Sequence, residues 1–195
     1  MHQRRSMKWI WLPVLLLAST PAFAAEIPLT VDFERSRIEY HVTDVSGGFS
    51  GKLVAYTLDL SLDPATPGGL GRAELRFRFT DLRSGVNKRD QAMRDWQNTE
   101  QFPECVFTLT ALEPTQQADR FTARGQIIFH GHSRDLIFPV TIHRDGTQVY
   151  TEGEARLDVR DFGLKPQRRY LFFPIDPVVI LRWKIHADAA SPARS

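Results

Sequence analysis

Apolar and polar residues alternate one for one along most of the chain from Ile38 onward, and in a β-strand that period puts the apolar set on one face. The clearest run is Arg72 to Thr80: Ala73, Leu75, Phe77 and Phe79 share one face, Glu74, Arg76, Arg78 and Thr80 the other. The same pattern places Val54, Tyr56, Leu58, Leu60 and Leu62 together, then Phe121, Ala123, Gly125, Ile127 and Phe129, then Leu136, Phe138, Val140 and Ile142, and finally Val179, Leu181, Trp183 and Ile185. With Ile38/Tyr40/Val42, Cys105 to Ala111 and Val149 to Val159, eight strands are predicted. Turn clusters such as Pro64-Ala65-Thr66-Pro67-Gly68-Gly69 and Arg144-Asp145-Gly146 part them. Eight amphipathic strands hide a shared apolar face by closing into a barrel or by splitting into a sandwich, and a barrel also removes exposed edges. The predicted fold class is therefore all-β: an antiparallel eight-stranded barrel.

One stretch, Val86 to Gln97, reads as a short helix in which Val86, Met93 and Trp96 form a stripe and Asn87 is placed to cap the start. It lies inside a connection, from about Thr80 to Cys105, that is too long for a hairpin. Connections of that length usually cover something, so the helix is expected to lie as a lid over the barrel mouth. The sequence shows no internal repeat and no low-complexity segment.

The first 24 residues stand apart. Arg4, Arg5 and Lys8 make a basic start, Ile10 to Ala18 is apolar apart from Pro13, and Ala22-Phe23-Ala24 gives the small-x-small pattern of a secretory leader. Its apolar stretch falls short of the roughly 20 residues that span a bilayer. Cleavage after Ala24 is expected, leaving a barrel over residues 25–187 and a disordered tail over 188–195. The bacterial periplasm is the expected destination, and the leader alone fits a secreted eukaryotic protein as well.

Composition narrows the function classes. The 195 residues are 42% apolar and 25% charged, ordinary globular proportions that exclude disordered, collagenous and coiled-coil classes. The sequence pI near 8.8 belongs to the precursor. The chain holds 25 Lys and Arg against 23 Asp and Glu, and the leader takes three of the basic residues and no acidic one, so the remainder is slightly acidic. A nucleic-acid partner loses its footing. The single cysteine, Cys105, allows no intramolecular disulfide and no thiolate-rich metal cage, and its place at the start of an apolar strand reads as a buried inert thiol.

Candidate chemistry is sparse. Ala123 and Gly125 put small residues among large ones on an inward face, which fits close packing of neighbours and room for a guest equally well. His130 and His132, two apart, have a chelating spacing, but Gly131 between them marks a strand end, and turn or surface histidines are the simpler reading. No Gly-x-Ser-x-Gly elbow occurs, and Asp161-Phe162-Gly163 lacks every other kinase signature. Arg89-Asp90 and Arg160-Asp161 could each present an arginine, held by a carboxylate, to an anionic head group; a structural ion pair at the barrel rim is the plainer alternative. Arg168-Arg169 beside Tyr170-Leu171-Phe172-Phe173 suits either contact with a membrane surface or a hairpin tip.

Taken in order along the chain, these residues resemble the YceI-like family of lipid- and polyisoprenoid-binding proteins. The resemblance runs from about Ile27 to Ala187: Val31-Asp32, Ser36-Arg37-Ile38-Glu39-Tyr40, Gly51-Lys52-Leu53, Ser84-Gly85 then Arg89-Asp90, and Phe102-Pro103 then Val106-Phe107. It continues through Gly125, His130-Gly131-His132-Ser133-Arg134, Asp158-Val159-Arg160-Asp161-Phe162-Gly163 and Val178-Val179-Ile180. It implies a lipocalin-like barrel with one short helix in a long connecting loop, and an exported protein that holds isoprenoid chains. The chain departs from the family pattern around the expected mouth. Asp44 stands where many members carry histidine, the Ser46-Gly47-Gly48-Phe49 loop is shorter, Ala92-Met93 replace a His-Leu pair, and Trp96 replaces a paired phenylalanine.

The leading expectation is thus a periplasmic carrier, store or sequestering protein for a quinone or prenyl-phosphate type lipid, with no catalysis, no metal and no required cofactor beyond the bound lipid. The expected wall is Phe77, Phe79, Phe121, Ile127, Phe129, Phe138 and Trp183. Met93 and Trp96 form the lid, and Arg89, Asp90, Arg160 and Asp161 are the polar candidates. Partners are a hydrophobic lipid and a transient membrane contact, and a homodimer is left open. The competing classes are a filled barrel acting as a protein-interaction module, an outer-membrane barrel with its greasy face outward, and an enzyme or metal site around His130 and His132.

Overall fold

The computed structural model describes residues 26–169 and 173–189; of Arg168, Arg169, Phe173 and Pro174 it describes the backbone. The leader, Tyr170 to Phe172 of the expected membrane-contact segment and the tail beyond residue 189 lie outside the described residues. The strands in chain order are β1 (Ile27–Val31), β2 (Arg37–Asp44), β3 (Phe49–Leu53), β4 (Thr57–Leu62), β5 (Leu70–Arg78), β6 (Leu82–Arg83), β7 (Glu104–Pro114), β8 (Arg120–Phe129), β9 (His132–Asp145), β10 (Gln148–Asp158), β11 (Arg168–Arg169) and β12 (Phe173–Ala189). Helix α1 (Asn87–Trp96) lies between β6 and β7.

Hydrogen bonding joins β1, β4, β5, β7, β8, β9, β10 and β12 in that order, and β12 returns to pair with β1, so the sheet closes. The remaining long pairings are continuations: β2 runs along β12 beyond β1, β3 along β2, and β6 along β3. Each of β1/β2, β3/β4 and β5/β6 therefore acts as one stave broken by a bend. The result is an antiparallel barrel of eight staves, the number the alternation predicts. The bends fall where the sequence pattern alone gave unbroken strands. Val54 is half exposed in the bend between β3 and β4, and Phe79 to Asp81 form a tight turn rather than the end of β5.

Two bulges keep the apolar set pointing inward where strict alternation fails. Gly71 is the extra residue in β5, so Leu70 and Ala73 both face the interior; Thr110 is the extra residue in β7, so Leu112 follows Leu109 inward. β12 also runs on through Asp188 and Ala189, opposite Gln148 and Leu29, so these two residues of the expected tail belong to the strand.

Each end of the barrel has its own core. At the lower end Leu29, Leu60, Leu62, Val140, Ile142 and Ile185 pack together, and the turn at Pro67–Gly69 folds across the opening. At the upper end Phe79, Cys105, Phe129, Leu157, Val159 and Phe162 form the second cluster, with Phe129 centred 5.1 Å from Phe79 and 4.9 Å from Phe162. The β8–β9 hairpin turns there through His130 and Gly131, with φ of 48° and 73°. Two consecutive positive φ angles are what a type I′ two-residue turn requires.

Candidate functional site

The interior is lined rather than filled: a lumen of about 520 Å³ runs between the two end clusters. Its wall is overwhelmingly apolar. Apart from Thr151, its polar lining residues (Asp44, Arg89, Gln97, Gln167 and Asp176, with Tyr40) come from β2, the helix and its C-terminal cap, the segment before β11 and the start of β12, around the upper opening. A greasy tube with polar groups at one mouth follows.

Three cross-strand pairings keep the tube open. Tyr40 lies opposite Gly51, Trp183 opposite Gly153, and Phe107 diagonally beside Gly125. In each case a Cβ on the glycine would come within 2.3–2.4 Å of the ring. The missing side chain is what lets each ring lie against the backbone instead of projecting into the lumen. At Gly125 the small residue therefore serves close packing, and the room for a guest lies in front of the ring.

Of the residues expected to form the wall, Phe77, Phe79, Ile127, Phe129, Phe138 and Trp183 line the lumen. Phe121 does not. It faces inward at the far lower end, where its ring reaches 3.1 Å from the position of a Cβ on Gly68, and so belongs to the floor under the Pro67–Gly69 turn. Sequence alternation gives the face a residue occupies but not its height along the barrel axis.

The helix does lie over the mouth: Arg89, Ala92, Met93, Trp96 and Gln97 all line the lumen. Its far end is tied down by the indole of Trp96, which donates to the carbonyl of Lys165 at 2.8 Å. Its start is anchored differently from expectation. Val86 occupies the capping position without a side-chain bond, and Asn87 is already inside the helix. The anchor is Asp90, 3% exposed, whose Oδ1 accepts from the Ser84 amide at 2.9 Å and the Ser84 hydroxyl at 2.6 Å.

The polar candidates divide. Asp90 turns to Ser84 and does not line the lumen, so it is a positioning group rather than a partner for its neighbour. Arg89 does line it, with the guanidinium carbon 4.2 Å from the centre of the Phe49 ring. Arg160 and Asp161 stand outside. Arg160 is bound by Asp158, at 2.6 Å from Nη2 to Oδ2, and that pairing lowers the Asp158 carboxyl below its ordinary range. Asp161 is exposed on the same turn. An ion pair stands at that position, with Asp158 rather than the expected Asp161 as the partner of Arg160.

His130 and His132 serve the hairpin. Nδ1 of His130 lies 3.0 Å from the carbonyl oxygen of Phe162, its ring packs 4.2 Å from that of Phe102, and His132 leans on Gly163. The His-Gly turn and the Asp-Phe-Gly turn thus dock on each other. Cys105 is 4% exposed in the wall, and burial pushes its thiol up to about 12. Burial, with the negative charge of Asp90 as a smaller cause, pushes Tyr40 to about 12 against the opposing pull of Arg89. Both shifts favour the protonated forms of these two groups.

A family model described as the YceI-like domain matches residues 29–187. The chain belongs to the YceI-like domain family. A UPF0312 protein of Photorhabdus laumondii is 21% identical over 162 residues, covering 77% of this chain and 82% of the relative. Among solved structures, BcnA of Burkholderia cenocepacia superposes with a TM-score of 0.67 at 16% identity, over 83% of this chain and all of its own. A polyisoprenoid-binding domain from Saccharophagus degradans, implicated in plant cell wall breakdown, gives a TM-score of 0.63 at 12% identity, over 84% of this chain and 99% of that one. The Campylobacter jejuni YceI protein gives 0.62 at 14% identity, over 72% and 85%.

Within this YceI-like barrel, Asp44 and Phe49, both expected around the mouth, line it, whereas sequence reasoning missed Tyr40 and Phe107 as lumen residues. The signal for the aromatic rings was present as glycines on inward positions of neighbouring strands, but using it needs the register. Asp44 is buried at 9% exposure, and its Oδ1 accepts from the Ser46 amide and hydroxyl and from the Gly48 amide. A carboxylate oxygen that collects three donors ties the β2–β3 loop together.

Proposed function

We propose that this chain is an exported binding protein that holds a lipid with a long isoprenoid tail, of the quinone or prenyl-phosphate kind, with the tail in the lumen and the head group at the mouth. The observation that carries the reading is the apolar tube of about 520 Å³ with its polar groups gathered around one opening. Sites of this size and character suit one small apolar ligand. Each methylene that leaves water for such a wall contributes about 0.8 kcal/mol, before the cost of immobilising the tail. The Saccharophagus relative, a polyisoprenoid-binding domain, supports the same ligand class. The leader and its Ala22-Phe23-Ala24 site support export, and the periplasm is the compartment proposed.

The outer surface argues against a barrel embedded in a membrane. Ion pairs run across its outward face, including Arg182 with Glu154 at 2.9 Å, Lys184 with Glu152 at 3.3 Å and Arg124 with Glu113 at 2.6 Å. A lipid-facing Arg or Lys costs about 2–4 kcal/mol at the bilayer midplane, and such barrels carry their apolar band outside. Binding alone accounts for the wall described, and carriage, storage and sequestration all use it in the same way.

The test is native mass spectrometry of the protein purified from periplasm without detergent, followed by organic extraction. A discrete added mass that extraction resolves into a prenyl lipid is the expected result. A bare polypeptide mass that resists loading with prenyl lipids would overturn the reading.

A further inference from the structure

The lumen has a mouth and a floor, and the two ends are built differently. The upper opening is roofed by a helix, while the lower one is stopped by side chains. Phe121 and Ile142 meet the Pro67–Gly69 turn there, with Phe121 and Ile142 atoms 3.1 and 3.3 Å from the position of a Cβ on Gly68. Beside them Leu62 is 2% exposed, and the Arg144 guanidinium reaches to 3.0 Å from the corresponding position on Gly69. A tail that descends the tube stops at this layer.

Resting on the lipid-binding reading above, we infer that the chain measures the length of its ligand: the lumen admits about four isoprene units, and Phe121 is the residue that sets the limit. The capacity follows from volume. An apolar cavity of about 150 Å³ holds one benzene ring, so 520 Å³ holds the equivalent of roughly twenty carbons. Additional units of a longer tail must remain at or outside the mouth, among polar groups and water, where they gain no burial. Affinity therefore rises with chain length and then levels off. Replacing Phe121 by Ala removes one six-carbon ring from the floor and deepens the tube by about one isoprene unit.

The experiment measures affinities of the delipidated protein for farnesol, geranylgeraniol, geranylfarnesol and solanesol, by native mass spectrometry in competition. A rise of at least about tenfold from farnesol to geranylgeraniol, with the longer prenols within about threefold of geranylgeraniol, is the expected result. Phe121→Ala shifts the plateau, so that geranylfarnesol binds at least about fivefold tighter than geranylgeraniol. A wild-type affinity that keeps climbing to solanesol would overturn the length limit, and so would a plateau unmoved in a folded Phe121→Ala. The wild-type series stands alone if that variant does not fold, and Phe121→Leu supplies a milder change. Failure of every prenol to bind would instead overturn the lipid-binding reading itself, and the length limit with it.

Discussion

Replacing Gly153 by alanine tests how the lumen is kept clear. Gly153 sits opposite Trp183, and a Cβ added there would lie 2.3 Å from Cζ2 and 2.7 Å from Cη2 of the indole, and 3.0 Å from the Pro139 carbonyl oxygen. Ordinary carbon contacts are about 3.5–4.0 Å, so the indole must move by more than an ångström. It cannot move into the backbone and swings into the lumen, away from Phe138, whose ring centre is 5.2 Å distant. Overpacking of this kind costs about 1–3 kcal/mol. The backbone itself accepts alanine, since Gly153 is not among the residues with positive φ, and Gly-to-Ala changes at such sites add about 0.4–1 kcal/mol of stability. The two effects have opposite signs, and a double-mutant cycle separates them. Gly153→Ala is expected to destabilise the parent by about 1–3 kcal/mol in chemical denaturation, and to be close to neutral when Trp183 is already leucine. Beyond residue 24 the sequence holds two tryptophans, Trp96 and Trp183, so a Trp96→Phe background isolates Trp183 fluorescence and reports its displacement. A cost under about 0.5 kcal/mol, or the same cost in both backgrounds, would refute the steric argument.

Three further outcomes follow from the same geometry. Leu75→Glu puts a carboxylate on the open part of the wall, and is expected to abolish retention of co-purified lipid while circular dichroism still shows a folded barrel; lipid recovered at the wild-type level would contradict the placement of the ligand. Arg160→Ala removes an exposed, solvent-screened rim pair and should leave stability and lipid affinity essentially unchanged, whereas Arg89→Ala should alter head-group preference; equal effects of the two on binding would remove the distinction. For Cys105, burial raises the thiol from 9.0 to about 12, so between those values the unfolded chain has lost a proton that the folded chain keeps. Stability then falls as pH rises through that window, by up to about 1.4 kcal/mol per unit, and remains whole below it. Thermal melts from pH 8 to 11 should show a shallower decline for Cys105→Ala than for the parent, and parallel curves would refute the assignment.

The strands were legible because a two-sided wall writes itself into the sequence: Ala73, Leu75, Phe77 and Phe79 cannot alternate with Glu74, Arg76 and Arg78 for any other reason that fits so many runs. What alternation does not encode is position along the staves. Phe121 carries the same inward signature as Ile127 and Phe129, yet it closes the floor while they line the tube and its upper cluster. Neither does it encode local bends, since Val54 and Tyr56 continue the parity of Leu58 through a segment that leaves the sheet. Arg89-Asp90 and Arg160-Asp161 look alike as dipeptides. One is split between the lumen and a buried anchor and the other sits on an outer turn, a difference set by Ser84 and Asp158 that neither dipeptide contains. The length of its connection points to the lid, because a helix inside such a connection has to rest on something.

The closing seam of the barrel joins its first strand to its last. Leu29 pairs with Ala189, and Ser36 with His186, 150 residues away. A chain that emerges with its N-terminus first therefore carries β1 with one side unpartnered until β12 is free. Every intermediate that lacks β12 is an open sheet with two raw edges and an uncovered greasy face, and loop closure of this span comes late because its entropy must be spent before the seam repays it. Closure of the barrel is in effect postponed until β12 has emerged, and loss of that strand leaves no smaller barrel to fall back on.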